Sequence, residues 1–184
     1  MNAFTIDILK SEEIKSLLSL QKENLIQNLL ESESSNTGFL TFQYSEKAMA
    51  DMMEDMPQPV AKANGEIVGY ALATSCEVGS KMELLKPLLE VCKKLEYNDQ
   101  SLIKQKFYLL GQVCVKEGWR GAGIFDALYF KHREIFAKNF DCVVTEIAVT
   151  NHRSLAAHAR VGFKILAEYE DNNRDWYVVA WDWK

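Results

Sequence analysis

Residues 111–129, GQVCVKEGWRGAGIFDALY, join a strand pattern directly to a helix pattern. The start of a helix carries backbone N–H groups without helical partners and a partial positive charge. Gly121 and Gly123 would let a ligand approach this backbone closely, because glycine has no Cβ. Arg120 adds a full positive charge beside them. The segment therefore predicts an anion site, typically one for phosphate.

The motif alone leaves the ligand open. The P-loop pattern GxxxxGK[ST] is absent, and the dinucleotide pattern GxGxxG fails because Asp126 stands at its last position. Antiparallel hairpins elsewhere in the chain also fit poorly with an all-parallel dinucleotide fold. A tight turn without any ligand is the alternative interpretation of this junction.

The rest of the chain predicts a mixed sheet flanked by helices, an α/β (α+β) fold. Asn64-Gly65 between two strand patterns is a strong hairpin signal. The predicted strands are 3–9, two within 59–78, 106–115, 142–149, 163–170 and 175–183. The first predicted helix begins at Ser11, and the second runs from Ser45 to Met53. The third lies within 80–96, with a start or kink at Pro87. The last two run from Gly121 to Lys138 and from Asn151 to Gly162. Residues 32–38 are predicted to be a loop.

The composition limits which classes of protein this chain can belong to. A chain of 184 residues with 48% hydrophobic residues predicts one globular domain, 1–184. A net charge of -5 argues against coating of nucleic acid, and no apolar run is long enough to cross a membrane. The four cysteines form no CxxC pair, there is no signal-peptide pattern, and no metal site is predicted. We expect a cytoplasmic protein, and the sequence leaves a homodimer open.

Two segments together resemble one family. VKEGWRGAGIF places Arg120, Gly123 and position 125 in the pattern Arg or Gln, two residues, Gly, one residue, Gly or Ala. TEIAVTNHRSLAAHARVGF, residues 145–163, follows at the expected distance. Both segments are similar to the coenzyme-binding and following elements of the GNAT superfamily of acyl-CoA N-acyltransferases. The resemblance implies a GNAT-type, mostly antiparallel mixed sheet, acetyl-CoA as co-substrate, and a primary amine of a small molecule or peptide as acceptor.

The resemblance also implies the residues that bind the coenzyme. The family's central strand splays from its neighbour and binds the pantetheine arm through its backbone, while the glycine turn binds the phosphates. Phe125 stands where the family has Gly or Ala, so its ring is expected to point into the core and leave only its N–H toward the ligand. The implied set is Val113, Cys114, Val115, Arg120, Gly121, Ala122, Gly123, Ile124, Phe125, Asn151 and Ser154.

Glu146 and His158 are the candidate catalytic residues. Glu146 is the one carboxylate on an otherwise apolar or small strand face, where partial burial would raise its pKa and suit it to accept a proton. Its position matches a general base in ribosomal-protein alanine acetyltransferases. His158 shares a helix face with Asn151 and Ser154, and the resemblance implies that it protonates the departing thiolate. A salt-bridged glutamate and a packed histidine are the alternatives.

Other interpretations remain open at this stage. A non-catalytic acyl-CoA-binding or sensing module would keep the glycine turn without needing the two candidate catalytic residues. A nucleotide-binding protein is the rival from another class. The C-terminal aromatic residues are interpreted as core or dimer contacts rather than as an acceptor pocket, and three earlier aromatic residues as an acceptor-side wall. The C-terminal residues are Trp176, Tyr177, Trp181 and Trp183, and the three earlier residues are Phe39, Phe42 and Tyr44.

Overall fold

The computed structural model describes residues 3–26 and 39–183. Seven strands form one sheet in the order β1-β2-β3-β6-β7-β9-β8, and two short strands pair separately as β4-β5. The strands are β1 (Thr5–Ile8), β2 (Pro59–Ala63), β3 (Glu66–Thr74), β4 (Glu96–Tyr97), β5 (Gln100–Ser101), β6 (Phe107–Val115), β7 (Cys142–Ala148), β8 (Lys164–Asp171) and β9 (Arg174–Asp182). The helices are α1 (Ile14–Glu23), α2 (Glu46–Asp55), α3 (Cys76–Gly79), α4 (Lys86–Cys92), α5 (Ile124–Phe136) and α6 (His152–Val161). The loop predicted at 32–38 lies outside the described residues.

The sheet is mixed and mostly antiparallel, as predicted. Within the described strands only the β6–β7 pair is parallel. The β2–β3 hairpin turns at Asn64 and Gly65, whose φ values of 50° and 82° are those of a tight hairpin turn. The fold class inferred from the hydrophobic periods is therefore confirmed.

Helices cover both faces of the sheet. On one face α5 packs through Ile124, Leu128 and Tyr129 against alternate residues of the central strands. On the other face α1 and α2 cover β2 and β3. The segment around α4 covers β7 and β9 on that same face, so Glu146, two residues after Val144, points toward α4. This arrangement places the candidate base on the side opposite α5.

Four element predictions need correction. The helix predicted from Ser11 begins at Ile14, after a 3-10 turn over Ser11–Glu13. The strand predicted to extend to residue 78 ends at Thr74 and is followed by α3. The helix after the glycine turn begins at Ile124 rather than Gly121, because Gly121 and Gly123 both have positive φ values that no α-helix can contain. The stretch 80–96 is not one helix: a 3-10 turn precedes α4, with Pro87 in its first turn as preferred from the sequence. The short β4–β5 hairpin that follows was not predicted. None of the helices in the described part of the chain has the length and apolar character needed to span a bilayer.

Gly162 ends α6 in a conformation that only glycine adopts easily, and Gly162→Ala is expected to destabilise the protein. Its φ is 123°, and a Cβ there would lie 2.7 Å from Nε1 of Trp181. Strain and the clash together should lower the free energy of unfolding by roughly 2 kcal/mol or more. Gly65→Ala is the matched control, because Gly65 also has a positive φ, 82°, but nothing lies within 4 Å of its added Cβ. Equal losses in urea unfolding would show that the Trp181 contact contributes nothing.

Candidate active site

The central strands β6 and β7 separate at the middle of the sheet. They pair over only three residues of each strand, from Phe107↔Cys142 to Leu109↔Val144. Just beyond, the Thr145 hydroxyl donates a hydrogen bond of 2.8 Å to the carbonyl oxygen of Leu110. The rest of β6 pairs with β3 on its other edge, so the edge toward β7 opens at residues 113–115. A ligand lying in this opening can meet the strand backbone directly.

A cavity of about 470 Å³ lies at this opening, between β6, the glycine turn and the start of α6. Every predicted coenzyme-binding residue except Ala122 lines it. These residues are Val113, Cys114, Val115, Arg120, Gly121, Gly123, Ile124, Phe125, Asn151 and Ser154. Ala122 is absent from the lining, and its N–H donates to the carbonyl oxygen of Trp119 within the turn. Its predicted contact with the ligand is therefore not favoured by the geometry.

The glycine turn has the features of an anion site. Gly118, Gly121 and Gly123 have φ values of 77°, 82° and 86°, and a Cβ on any of them would meet no atom within 4 Å. The turn thus needs glycine for its backbone conformation and leaves open space above it. Gly123 precedes the thirteen residues of α5 and provides no side-chain cap for its first N–H groups. These donors face a cavity rather than a protein partner.

Arg120 holds the glycine turn in place through two side-chain hydrogen bonds. Its Nε donates to the carbonyl oxygen of Val115 at 3.1 Å, and one terminal nitrogen donates to Oδ1 of Asn24 at 2.7 Å. Asn24 is itself buried and donates to the carbonyl oxygen of Leu20 in α1. Arginine has five N–H donors, so Arg120 can hold the turn against α1 and still present positive charge to the cavity. Sequence reasoning missed the partner, which lies 96 residues away in the chain.

Phe125 packs partly against the core, as predicted, but its ring also lines the larger cavity. Its half-buried ring lies between α5 and α6, with centroids 4.8 Å from Tyr129 and 5.1 Å from His158. The Arg160 guanidinium covers the ring at 5.9 Å and is paired with Asp126. The ring therefore forms part of the cavity wall and holds α5 to α6. Arg153 and Arg160 also line this cavity, and no sequence signal predicted either of them there.

A second, smaller cavity of about 90 Å³ adjoins the first. The two cavities share lining residues at the β6 edge and at the start of α6, among them Val113, Asn151 and Ser154. Glu146 lines the smaller cavity together with Gln112 and mostly apolar side chains. The structure thus brings the candidate base next to the predicted coenzyme residues.

Glu146 has the environment that its strand pattern predicts. It is half-buried on β7, and burial raises the pKa of its carboxyl to about 7. The Tyr169 hydroxyl donates to Oε2 and opposes this rise in pKa, whereas the nearby Asp171 carboxylate adds to it. Near neutral pH such a carboxyl can both take up and release a proton. Tyr169, from the edge strand β8, was missed because only the three-dimensional arrangement of the strands locates it beside Glu146.

The geometry of His158 speaks against its predicted role as a proton donor to the thiolate. The side chain is buried, and burial lowers its pKa to about 4, so the ring is neutral near pH 7. Nδ1 lies 2.8 Å from the carbonyl oxygen of Ser154, which can only accept, so Nδ1 carries the proton. Nε2 then accepts from the Tyr129 hydroxyl at 2.5 Å. His158 is held as a packed histidine between α5 and α6, which was the alternative interpretation.

The predicted aromatic residues divide between core and cavity. Trp183 is buried and Trp181 packs beside it, as expected for core residues. Trp176 instead lines the smaller cavity, as do Phe39 and Phe42 of the predicted acceptor-side wall. Tyr44, the third member of that wall, is absent from the lining and is buried against α1 and α2.

The chain belongs to the acetyltransferase (GNAT) family, whose sequence pattern matches residues 24–163. A search of curated proteins by sequence found no significant match. The match to the family covers the glycine turn, both splayed strands and α6. The resemblance inferred from the two motifs is confirmed.

Solved structures share the fold at low sequence identity. The ribosomal-protein-S18-alanine N-acetyltransferase of Escherichia coli is 14% identical, with a TM-score of 0.64 over 98% of this chain and 94% of that one. The NAA60 protein of Arabidopsis thaliana, in complex with acetyl-CoA, is 13% identical, with a TM-score of 0.66 over 98% and 99%. The putative acetyltransferase yncA of Salmonella typhimurium, with its cofactor acetyl-CoA, is 13% identical, with a TM-score of 0.65 over 99% and 95%.

Proposed function

We propose that the chain, as one domain, is an N-acetyltransferase that moves an acetyl group from acetyl-CoA to a primary amine within a ternary complex. The observation that carries this proposal is the pair of adjoining cavities. One is built from a glycine turn and an open strand edge, and the other contains a carboxyl group with a raised pKa. The two structural neighbours that contain acetyl-CoA support the choice of coenzyme.

In the proposed complex the larger cavity holds the coenzyme. The N–H groups of the glycine turn and of the start of α5 bind its phosphates. Arg153 lines the same cavity and adds positive charge, whereas the charge of Arg160 is offset by its ion pair with Asp126. The open edge of residues 113–115 binds the pantetheine arm through the backbone, and Asn151 and Ser154 lie beside it at the start of α6. The thioester then lies toward the smaller cavity, where the two cavities share their lining.

In the proposed reaction Glu146 acts as the general base. A free alkylamine has a pKa near 10 and must lose a proton before it can attack. Glu146 accepts this proton, directly or through a water molecule, and the amine nitrogen forms a bond to the thioester carbonyl carbon. Backbone N–H groups of β6 stabilise the developing oxyanion. The C–S bond then breaks, the coenzyme leaves as a thiolate, and the nitrogen of the new amide releases its second proton to this thiolate or to water.

In this proposal, departure and protonation of the coenzyme thiolate do not require His158. An alkyl thiol has a pKa near 8.5, so its thiolate can depart and take a proton from water or from the newly protonated Glu146. His158 acts instead as a positioning residue, because its contacts with Tyr129 and Ser154 fix α6 against α5. The coenzyme-binding face of α6 is thereby held in place.

Acetyl-CoA is expected to raise the melting temperature of the protein, whereas ATP and NAD at equal concentration are not. A ligand that binds only the folded state stabilises it by about 2.7 kcal/mol at 100 times its Kd. Differential scanning fluorimetry with the three compounds measures this directly. Stabilisation by ATP or NAD alone would favour the nucleotide-binding alternative.

Release of free thiol separates an enzyme from a non-catalytic binding module. An acetyl-CoA assay against polyamines, amino acids, aminoglycosides, aromatic amines and peptide N-termini should show amine-dependent thiol release for at least one class. Stabilisation by acetyl-CoA without thiol release from any amine would support the binding module instead.

A further inference from the structure

The smaller cavity combines a single carboxylate with neutral polar side chains and a leucine-rich, aromatic wall. Leucine side chains of the α4 region and the aromatic rings of Phe42 and Trp176 form much of its lining. Among the described residues that line it, Glu146 is the one carboxylate, and His158 is neutral near pH 7. The Gln112 side chain is held in place, since its Nε2 donates to the carbonyl oxygen of Phe42 and its Oε1 accepts from Tyr70. The cavity thus offers one acid, a set of neutral polar side chains and an apolar wall, and the neutral polar set is Thr41, Gln112, Thr145, Asn151, Ser154 and His158.

No lysine or arginine lines this cavity in the described part of the chain. Arg174 stacks on Trp176 at 5.6 Å but is not among the lining residues. Residues 27–38, QNLLESESSNTG, contain no lysine, arginine or histidine in their sequence. An acceptor with a carboxylate or phosphate beside its amine would bring that anion close to Glu146 without a cation to compensate it. Burying an unpaired charge in such a place is unfavourable.

The size of the cavity limits what can enter it. Its volume of about 90 Å³ leaves room for several water molecules or for a slim alkyl arm beside Glu146. The half-exposed Phe42 and the ring of Trp176 are placed to contact an aromatic or apolar body that follows the arm.

Resting on the proposed function, we infer that the acceptor is an arylalkylamine or alkylamine: a primary amine on an apolar arm, with no acidic group next to the amine. Its ammonium group is attracted to Glu146, gives up its proton there and attacks the thioester. The apolar arm displaces water from the leucine-lined wall. Amino acids with a free carboxylate are excluded by charge rather than by size.

The test compares three matched acceptors with the full-length protein and acetyl-CoA. 2-Phenylethylamine carries the apolar arm alone, L-phenylalanine adds a carboxylate, and L-phenylalaninamide replaces that carboxylate by a neutral group of similar size. We expect kcat/KM, expressed per neutral amine, to be about 100-fold lower for phenylalanine than for phenylethylamine. The amide should recover about tenfold or more of this loss, because it removes the like-charge repulsion with Glu146.

Phe42→Arg supplies the missing cation and provides a second measurement. Phe42 is 40% exposed, so its side chain can be changed without opening the core. The variant should raise the ratio of phenylalanine to phenylethylamine activity about tenfold, whereas Phe42→Leu should leave the ratio unchanged. Phenylalanine turned over as well as phenylethylamine by the natural protein would overturn the inference and leave the transferase intact. Absence of thiol release with every amine tested would overturn the proposed function and this inference together.

Discussion

Glu146→Gln is expected to lower turnover by about 100-fold or more and, at pH 8, to make the protein more stable. General base catalysis is worth about 10²–10⁴-fold in rate, and glutamine cannot accept the proton. Burial raises the pKa of Glu146 to about 7 because the folded protein disfavours its charged form. A neutral glutamine of nearly the same shape avoids that cost. Loss of activity with gain of stability is the pattern of a functional group held in an unfavourable place.

The gain in stability has a defined pH dependence. The folded pKa of about 7 lies above the ordinary value of 4.5, so the folded state binds more protons than the unfolded state between these values. The wild-type protein therefore loses stability as the pH rises through this window, and the loss is complete above the folded pKa. The variant lacks this dependence. The two proteins should have similar free energies of unfolding near pH 4.5 and differ by on the order of 2 kcal/mol at pH 8.

Two control variants make the result specific to the Glu146 site. Glu168→Gln changes an exposed carboxylate next to Tyr169 in the chain and should alter neither turnover nor its pH dependence. Tyr169→Phe removes a hydrogen bond that lowers the pKa of Glu146. The Tyr169→Phe variant should shift the acidic limb of the plot of kcat against pH to higher pH and leave kcat at alkaline pH unchanged. A two-fold effect of Glu146→Gln with unchanged stability at pH 8 would exclude Glu146 as a buried base.

Local sequence signals predicted most elements and their caps. The Ser45 hydroxyl accepts from the N–H of Ala48, and the Asn151 side chain accepts from the N–H of Ser154, as capping residues do. Glu146 was recognisable because period-two alternation places it on a face with apolar neighbours. These signals act between residues a few positions apart, which is why a single sequence reveals them.

The partners that set the chemistry of the site could not be predicted in this way. Tyr129 reaches His158 from a different helix, and Tyr169 reaches Glu146 from a strand two places away in the sheet. Arg120 donates a hydrogen bond to Asn24, which lies 96 residues away in the chain. The polarity of a single residue does not encode such contacts, because they depend on how the elements pack. His158 therefore appeared as a candidate acid, although burial makes it neutral and fully bonded.

Gly123→Asp is expected to abolish acetyl-CoA binding while the protein remains folded. Asp at the position before α5 would place its carboxylate over the first N–H groups of the helix, which are the donors proposed for the coenzyme phosphates. The carboxylate would occupy these donors and repel the phosphates as well. We expect the Kd for acetyl-CoA, measured by calorimetry, to rise by about 100-fold or more, since charge-assisted hydrogen bonds are worth about 1.5–3 kcal/mol each.

Gly65→Asp provides the matched control for this variant. Gly65 has a φ of 82°, close to the 86° of Gly123, and an added Cβ meets nothing within 4 Å at either position. Both variants add one negative charge and the same backbone strain, on the order of 1 kcal/mol, so both should lose similar stability. Because Gly65 lies in the β2–β3 turn and not in the cavity lining, its variant should bind acetyl-CoA as the natural protein does. If folded Gly123→Asp also keeps its full affinity, the glycine turn is a tight turn only, and the phosphates must be held elsewhere.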